Sequence, residues 1–121
     1  MAKKGLFMEE RRRYIRIPEN LEISYEVIPA EKKPIAYTTR DISQGGIKFW
    51  VHDFIPKNSR LKIRLVLCRT SIVIEALVQL VWISKIAHGD AYEIGVKFVD
   101  IPQKAAELLT GCIKEFLKTK K

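Results

Sequence analysis

Short segments in which apolar and polar residues alternate cover most of this chain and restrict it to a β-rich fold. The clearest is LKIRLVL at residues 61–67, where every second side chain is apolar. Successive side chains of a strand point to opposite faces, so a period of two places these apolar side chains on one face. Comparable apolar segments, separated by turn-forming segments, lie near residues 21–27, 35–40, 47–51, 72–83 and 94–98. We therefore predict six strands.

After Asp100 the apolar period changes. Apolar side chains now recur at intervals of three and four: Ala105, Leu108, Leu109, Cys112, Ile113, Phe116 and Leu117. This spacing predicts an amphipathic helix, capped by Asp100 or Ile101, with Pro102 in its first turn and Gln103 at capping-box distance from Asp100. The fold class is thus all-β: a six-stranded antiparallel β-barrel with a C-terminal α-helix, in which closure leaves no exposed sheet edge.

The length of 121 residues suits one domain. We assign residues 11–118 to it, residues 1–10 to a flexible N-terminal arm, and residues 119–121 to a frayed tail. MAKKGLFMEE lacks the continuous apolar run of a signal peptide, and the longest near-apolar stretch is interrupted by Glu75 and Gln79. We therefore expect a cytoplasmic protein in which Cys68 and Cys112 are buried and reduced.

The charge balance favours anionic ligands, whereas the motif content argues against an enzyme. Lys and Arg number 22 against 14 Asp and Glu, a formal charge of +8. His52 and His88 lie in predicted loops without partners at metal-ligand spacing, and GxSxG, HExxH and P-loop motifs are missing from the sequence. We expect a non-enzymatic protein without a metal site or cofactor.

Four arginines, Arg11, Arg12, Arg13 and Arg16, are concentrated just before the first predicted strand, in ERRRYIRIP. A solvated charge cluster is one interpretation. The other is an anion-binding cluster, because only arginine among the basic residues offers a planar fork that grips phosphate or guanine edges with two hydrogen bonds.

DISQGG, at residues 41–46, precedes the third predicted strand. By itself the segment is typical of a turn, in which Asp41 and Ser43 bond to the local backbone and glycines take positive φ. The same residues also suit nucleotide binding. Asp41 can accept from the N1–H and N2–H₂ groups of guanine, Ser43 can add a hydrogen bond, and Gly46 can permit close approach to the backbone.

Together the two segments resemble the signature of the PilZ domain family of bacterial cyclic di-GMP receptors. That family is marked by RxxxR followed by (D/N)xSxxG. The first corresponds to Arg12–Arg16, the second to Asp41–Gly46, and EIGVKFVDI at residues 93–101 is similar to the family's last strand. The resemblance covers nearly the whole chain, from about residue 9 to residue 118.

The resemblance implies that cyclic di-GMP binds on the outer surface of the barrel. Arg12 and Arg16 would hold phosphates and guanine faces, while Asp41, Ser43 and Gly46 would receive a guanine.

Three further residues have a possible role by the same resemblance. An arginine at the position of Arg11 often accompanies an intercalated ligand dimer, and Arg13 is placed to add a contact. Trp82 lies where some members stack a side chain on a base, although a place in the barrel core is the alternative.

As a receptor the protein would pass its signal to a downstream protein, which the sequence does not identify. Two other functions remain open. One is a basic barrel that binds single-stranded nucleic acid, which would need exposed aromatic residues between cations along one face. The other is a PilZ adaptor that acts without ligand. We expect no stable nucleic-acid or membrane partner.

Overall fold

The computed structural model describes residues 15–28, 35–67 and 72–119. These residues form six strands and one helix: β1 (Glu22–Val27), β2 (Ile35–Ile42), β3 (Gly46–Val51), β4 (Arg60–Val66), β5 (Val73–Lys85), β6 (Tyr92–Asp100) and α1 (Gln103–Thr119). Every strand pair is antiparallel, and the order around the closed barrel is β1-β2-β3-β6-β5-β4, with β4 paired to β1. The predicted all-β barrel with a terminal helix is confirmed.

The alternating pattern of the sequence becomes the inside and outside of the barrel. On β4, Leu61, Ile63 and Leu65 are fully buried, while Lys62 and Arg64 between them are exposed. Phe49 on β3 and Tyr25 on β1 are buried in the same core, as their positions in the alternation predict.

The helix α1 packs its apolar stripe onto this core through Ala105, Leu109 and Ile113. Its start differs from the prediction, because β6 continues to Asp100, which pairs with Leu77 on β5. The carbonyl of Pro102 accepts the first helical hydrogen bond, from the Ala106 amide at 2.9 Å. The N-cap is therefore Pro102, and the predicted caps at Asp100 and Ile101 are wrong, because strand pairing extends through Asp100 and the helix begins only at Gln103.

Cys112 is disulfide-bonded, so the expectation of a reduced thiol is wrong for this residue. The other cysteine, Cys68, lies outside the described residues, as do the proposed arm of residues 1–10 and part of the proposed tail. Spacing along the sequence could not indicate the bond, because the position of Cys112 depends on how α1 packs. In the part of the chain that the structure describes, no helix has the length and apolar character needed to cross a membrane.

Gly111 offers a test of the helix and its packing. It is exposed within α1, and a Cβ added there would meet no heavy atom within 4 Å. We expect Gly111→Ala to raise the free energy of unfolding by about 1 kcal/mol, because glycine lowers helix propensity. Urea denaturation followed by circular dichroism measures this change.

The matched control is Gly89, which also has open space around it but has a φ of +102°. There alanine is strained, so Gly89→Ala should lower stability by about 1–2 kcal/mol. Equal effects of the two substitutions would contradict the assigned backbone conformations.

Candidate functional site

An isolated β-bridge joins the two motif regions. Ile17, which directly follows the RxxxR segment, pairs with Ile42 of DISQGG, and each amide donates to the other's carbonyl at 2.9 Å. Both isoleucines are buried. In an antiparallel bridge the residue before Ile17 lies opposite the residue after Ile42, so Arg16 lies across from Ser43. Residues far apart in sequence thus meet at one place on the barrel.

Thr39 holds the segment that leads away from this bridge. Its hydroxyl accepts from the Leu21 amide and donates to the Glu19 carbonyl, both at 2.7 Å. Its backbone carbonyl accepts from the Asn20 side chain at 2.6 Å, and its amide donates to the Leu21 carbonyl at 2.8 Å. Thr39 is fully buried, and so is the bond that its hydroxyl accepts from the Leu21 amide, whereas the bonds to Glu19 and Asn20 are partly buried. They hold the backbone of residues 19–21, which directly follows the bridge and the arginine segment.

The DISQGG turn is closed by Ser43. Its hydroxyl accepts from the amides of Gly45 and Gly46, both at 3.1 Å, and its own amide donates to the Gly46 carbonyl at 2.9 Å. Ser43 is buried, with 7% exposure. The side chain therefore shapes the turn, and its predicted contact with a ligand stays a prediction.

The turn also touches two neighbouring elements. The Gly45 carbonyl accepts from the Phe98 amide at 3.1 Å on β6. The Gln44 side chain donates to the Thr110 hydroxyl at 2.9 Å, which links the turn to α1.

Glycine is required at position 46 because the backbone of β6 approaches it closely. A Cβ at this position would overlap the backbone carbonyl of Val96 on β6. Among the described glycines only Gly89 has positive φ, so the expectation that the turn glycines adopt it is wrong. Glycine is needed at position 46 for space instead, because the Val96 carbonyl of the paired strand β6 lies where a Cβ would be.

Four residues form a row across the outer face of neighbouring strands. Asp41 on β2 pairs with Lys48 on β3, Lys48 pairs with Gly95 on β6, and Gly95 pairs with Trp82 on β5. The indole of Trp82 covers Gly95, since a Cβ there would overlap the ring. The neighbours Ile94 and Val96 point into the core, so Gly95 and the indole face outward. The structure thus places Trp82 on the outer surface, rather than in the core.

A second cluster beside this row was not recognised in the sequence. The Glu93 carboxylate accepts from the Trp50 indole N–H at 3.0 Å, and the Arg40 guanidinium lies 3.8 Å from the centre of the Trp50 ring. Lys48 connects this cluster to the row, because its ammonium group lies 3.2 Å from the Asp41 carboxylate and 4.0 Å from the Glu93 carboxylate. The outward phase of β3, which contains Lys48 and Trp50, was the signal that could have identified them.

The predicted site residues divide into three groups. Asp41, Ser43, Gly46 and Arg16 are gathered around the Ile17–Ile42 bridge, with Arg16 exposed. Trp82 lies on the same outer face, two strands from Lys48. Arg11, Arg12 and Arg13 lie outside the described residues.

A tyrosine with a raised pKa lies away from this face. Burial, followed by the nearby Tyr37 and Asp53, raises the pKa of the Tyr25 phenol above its ordinary value, so this group stays protonated at neutral pH. Tyr25 pairs with Ile35, at the opposite end of β2 from Asp41. No group of three or more His, Cys, Asp or Glu side chains among the described residues could hold a metal ion.

Thr39 provides a test of how the arginine segment is anchored. Thr39→Val keeps the side-chain shape but leaves the Leu21 amide and the Glu19 carbonyl without their partner. We expect the free energy of unfolding to fall by about 1–3 kcal/mol, and the Leu21 amide to exchange faster with deuterium. Thr39→Ser keeps the hydroxyl and should retain most of the protection. Identical exchange in the two variants would contradict the assigned role of the hydroxyl.

Comparisons with known proteins agree with this architecture. The Bacillus subtilis inhibitor of motility MotI superimposes with a TM-score of 0.73 at 20% identity, covering 89% of this chain and 52% of that one. Escherichia coli YcgR, solved in complex with c-di-GMP, gives 0.74 at 18% identity, covering 91% and 47%. The PilZ domain of YcgR with c-di-GMP gives 0.65 at 18% identity, covering 91% and 97%.

This chain spans about half the length of MotI and of full-length YcgR. No curated protein matches its sequence. A family model described as the PilZ domain matches residues 10–115. Because that match covers most of the 121 residues, the chain belongs to the PilZ domain family.

Proposed function

We propose that this chain is a non-enzymatic receptor for cyclic di-GMP that acts through its RxxxR and DxSxxG motifs. The observation that carries the proposal is the Ile17–Ile42 bridge, which joins the end of one motif to the middle of the other. Arg16 is thereby held across from the turn that begins with Asp41. An arginine and an aspartate brought to the same turn suit a ligand that combines phosphates with guanine edges.

Each side chain has a distinct role in this proposal. Arg12 and Arg16 bind phosphates and guanine faces. Asp41, whose side chain is 19% exposed on the outer face, accepts from the guanine N1–H and N2–H₂ groups. Ser43 and Gly46 hold the turn against β6, and the indole of Trp82 offers an apolar surface on which a base can stack.

Two comparisons support the choice of ligand. The family assignment covers both motifs, and both YcgR structures, which match this fold, were solved with c-di-GMP.

Ligand binding is proposed to fold the arginine segment of residues 11–16 onto the barrel and so to change the surface offered to a downstream protein. Arg11 and Arg13 add contacts in this state, and Arg11 favours an intercalated ligand dimer. The Gln44–Thr110 hydrogen bond gives the binding turn a direct contact with α1. This contact supports α1 as part of the surface that changes.

Isothermal titration calorimetry with cyclic di-GMP tests the receptor function and the stoichiometry together. We expect binding with a dissociation constant near 1 μM, equivalent to about −8.2 kcal/mol, and about two ligands per chain if the ligand binds as a dimer. An absence of heat at about 50 μM ligand, well above that constant, would contradict the receptor function and favour the ligand-independent adaptor. One ligand per chain would contradict only the dimer.

Substitution of each motif tests the site. Arg12→Ala and Asp41→Ala should each weaken binding by about 100-fold or more, because each removes charge-assisted hydrogen bonds worth roughly 1.5–3 kcal/mol apiece. Calorimetry gives the affinities, and circular dichroism checks that the barrel is folded.

Matched controls lie on β1 and β4, and β4 is opposite β3 in the barrel order. Arg64 pairs with Glu75 at 3.2 Å on an exposed surface, and Glu26 pairs with Lys62 at 4.0 Å. Arg64→Ala and Glu26→Ala should leave the affinity unchanged. Normal binding by both motif variants would show that the site assignment is wrong even if the protein binds the ligand.

The outward position of Trp50 and Trp82, beside Arg40 and Lys48, gives the nucleic-acid alternative one supporting observation. Titration of the protein with a short single-stranded RNA at two salt concentrations decides between this alternative and the cyclic di-GMP receptor. Nucleic-acid binding weakens steeply with salt because counterions are released. Tighter binding to the RNA than to cyclic di-GMP, with that salt dependence, would favour the alternative.

A further inference from the structure

Lys48 occupies a defined position between two carboxylates at the proposed guanine site. Its ammonium group lies 3.2 Å from Asp41 Oδ2 and 4.0 Å from Glu93 Oε2, and the side chain is 30% exposed. Lys48 and Asp41 are also direct cross-strand partners, so the backbone itself keeps the two side chains adjacent.

The surroundings restrict where the ammonium group can lie. Glu93 is held by the hydrogen bond from the Trp50 indole, and Trp50 is covered by Arg40. On the same strand as Glu93 and directly across from Lys48, Gly95 has no side chain and is covered by the flat indole of Trp82. The outer face therefore presents a carboxylate, a cation and an aromatic surface in sequence across four strands.

This order matches one edge of guanine. The Watson–Crick edge of guanine carries two donors, N1–H and the N2 amino group, beside the O6 acceptor. A carboxylate is complementary to the two donors, and an ammonium group next to that carboxylate is complementary to O6. Adenine presents an amino donor in place of O6 and an acceptor at N1, so the same pair of side chains mismatches it.

We infer that Lys48 is a specificity-determining residue, which donates a hydrogen bond to O6 of the guanine bound by Asp41 and so discriminates against adenine. The inference rests on the proposed receptor function and adds a residue outside both sequence motifs. It also makes Asp41 and Lys48 one recognition unit, in which the salt bridge of the free protein opens enough to admit the base edge between its two members.

Removal of the Lys48 side chain distinguishes this role from one in which Lys48 only competes with the ligand for Asp41. If Lys48 only neutralises Asp41 in the free protein, the ligand must displace it, and its loss should tighten binding. If Lys48 contacts O6, its loss should weaken binding of the guanine ligand by about tenfold or more, the effect of one charge-assisted hydrogen bond. The two roles therefore predict changes in opposite directions.

The experiment compares wild type, Lys48→Met, Lys48→Arg and Lys62→Met with cyclic di-GMP by calorimetry, and with cyclic di-AMP by competition. Lys62 is the matched control, because it is also a strand lysine paired with a cross-strand carboxylate, Glu26, but lies on β4. We expect Lys48→Met to lose about tenfold in affinity for cyclic di-GMP without a matching loss for cyclic di-AMP. Lys48→Arg should restore most of the affinity, and Lys62→Met should resemble wild type.

Unchanged or tighter binding of cyclic di-GMP by Lys48→Met would overturn the inference. So would an equal loss of affinity for both ligands, because that pattern indicates general charge attraction and not recognition of O6. Wild-type protein that binds neither ligand would instead overturn the proposed function, so the two failures are distinguishable.

Discussion

The pairing of Ile17 with Ile42 is the interaction on which the site depends. It is an isolated bridge, yet it joins the residue that follows the arginine motif to the turn motif. Both side chains are buried, and the hydroxyl of the buried Thr39 holds the nearby Glu19 and Leu21 by hydrogen bonds. The barrel therefore also fixes the place at which the arginine segment joins it.

Within the DISQGG motif, some residues build the turn while another exposes its polar end. The Ser43 hydroxyl accepts hydrogen bonds from the turn backbone, and only glycine fits at position 46 beside the carbonyl of Val96. These residues therefore maintain the loop and its contact with β6. Asp41 and Lys48 instead direct their polar ends to the outer surface. A short sequence motif can thus combine residues that build a turn with a residue that is available to a ligand.

Much of this architecture was accessible from the sequence. The alternation in segments such as LKIRLVL predicted the strands, since burial of one face of a strand requires a period of two. The helix was predicted because its apolar residues recur at three and four. Cys112 and the helix cap were predicted wrongly, because a disulfide and a strand end depend on neighbours distant in sequence. Arg40, Trp50 and Glu93 were missed for the same reason, as they belong to three different strands with no shared motif.

By itself the sequence determined the element types, the two motifs and the excess of positive charge, all of which depend on residue type and local spacing. Only the tertiary structure decided that Trp82 faces outward, because a register shift in β5 and the missing side chain of Gly95 together place the indole. Only the structure brought Lys48 against Asp41, since cross-strand register is set by the packing of the whole barrel. Local patterns specify which face of a strand is buried, whereas closure of the barrel specifies which outward side chains become neighbours.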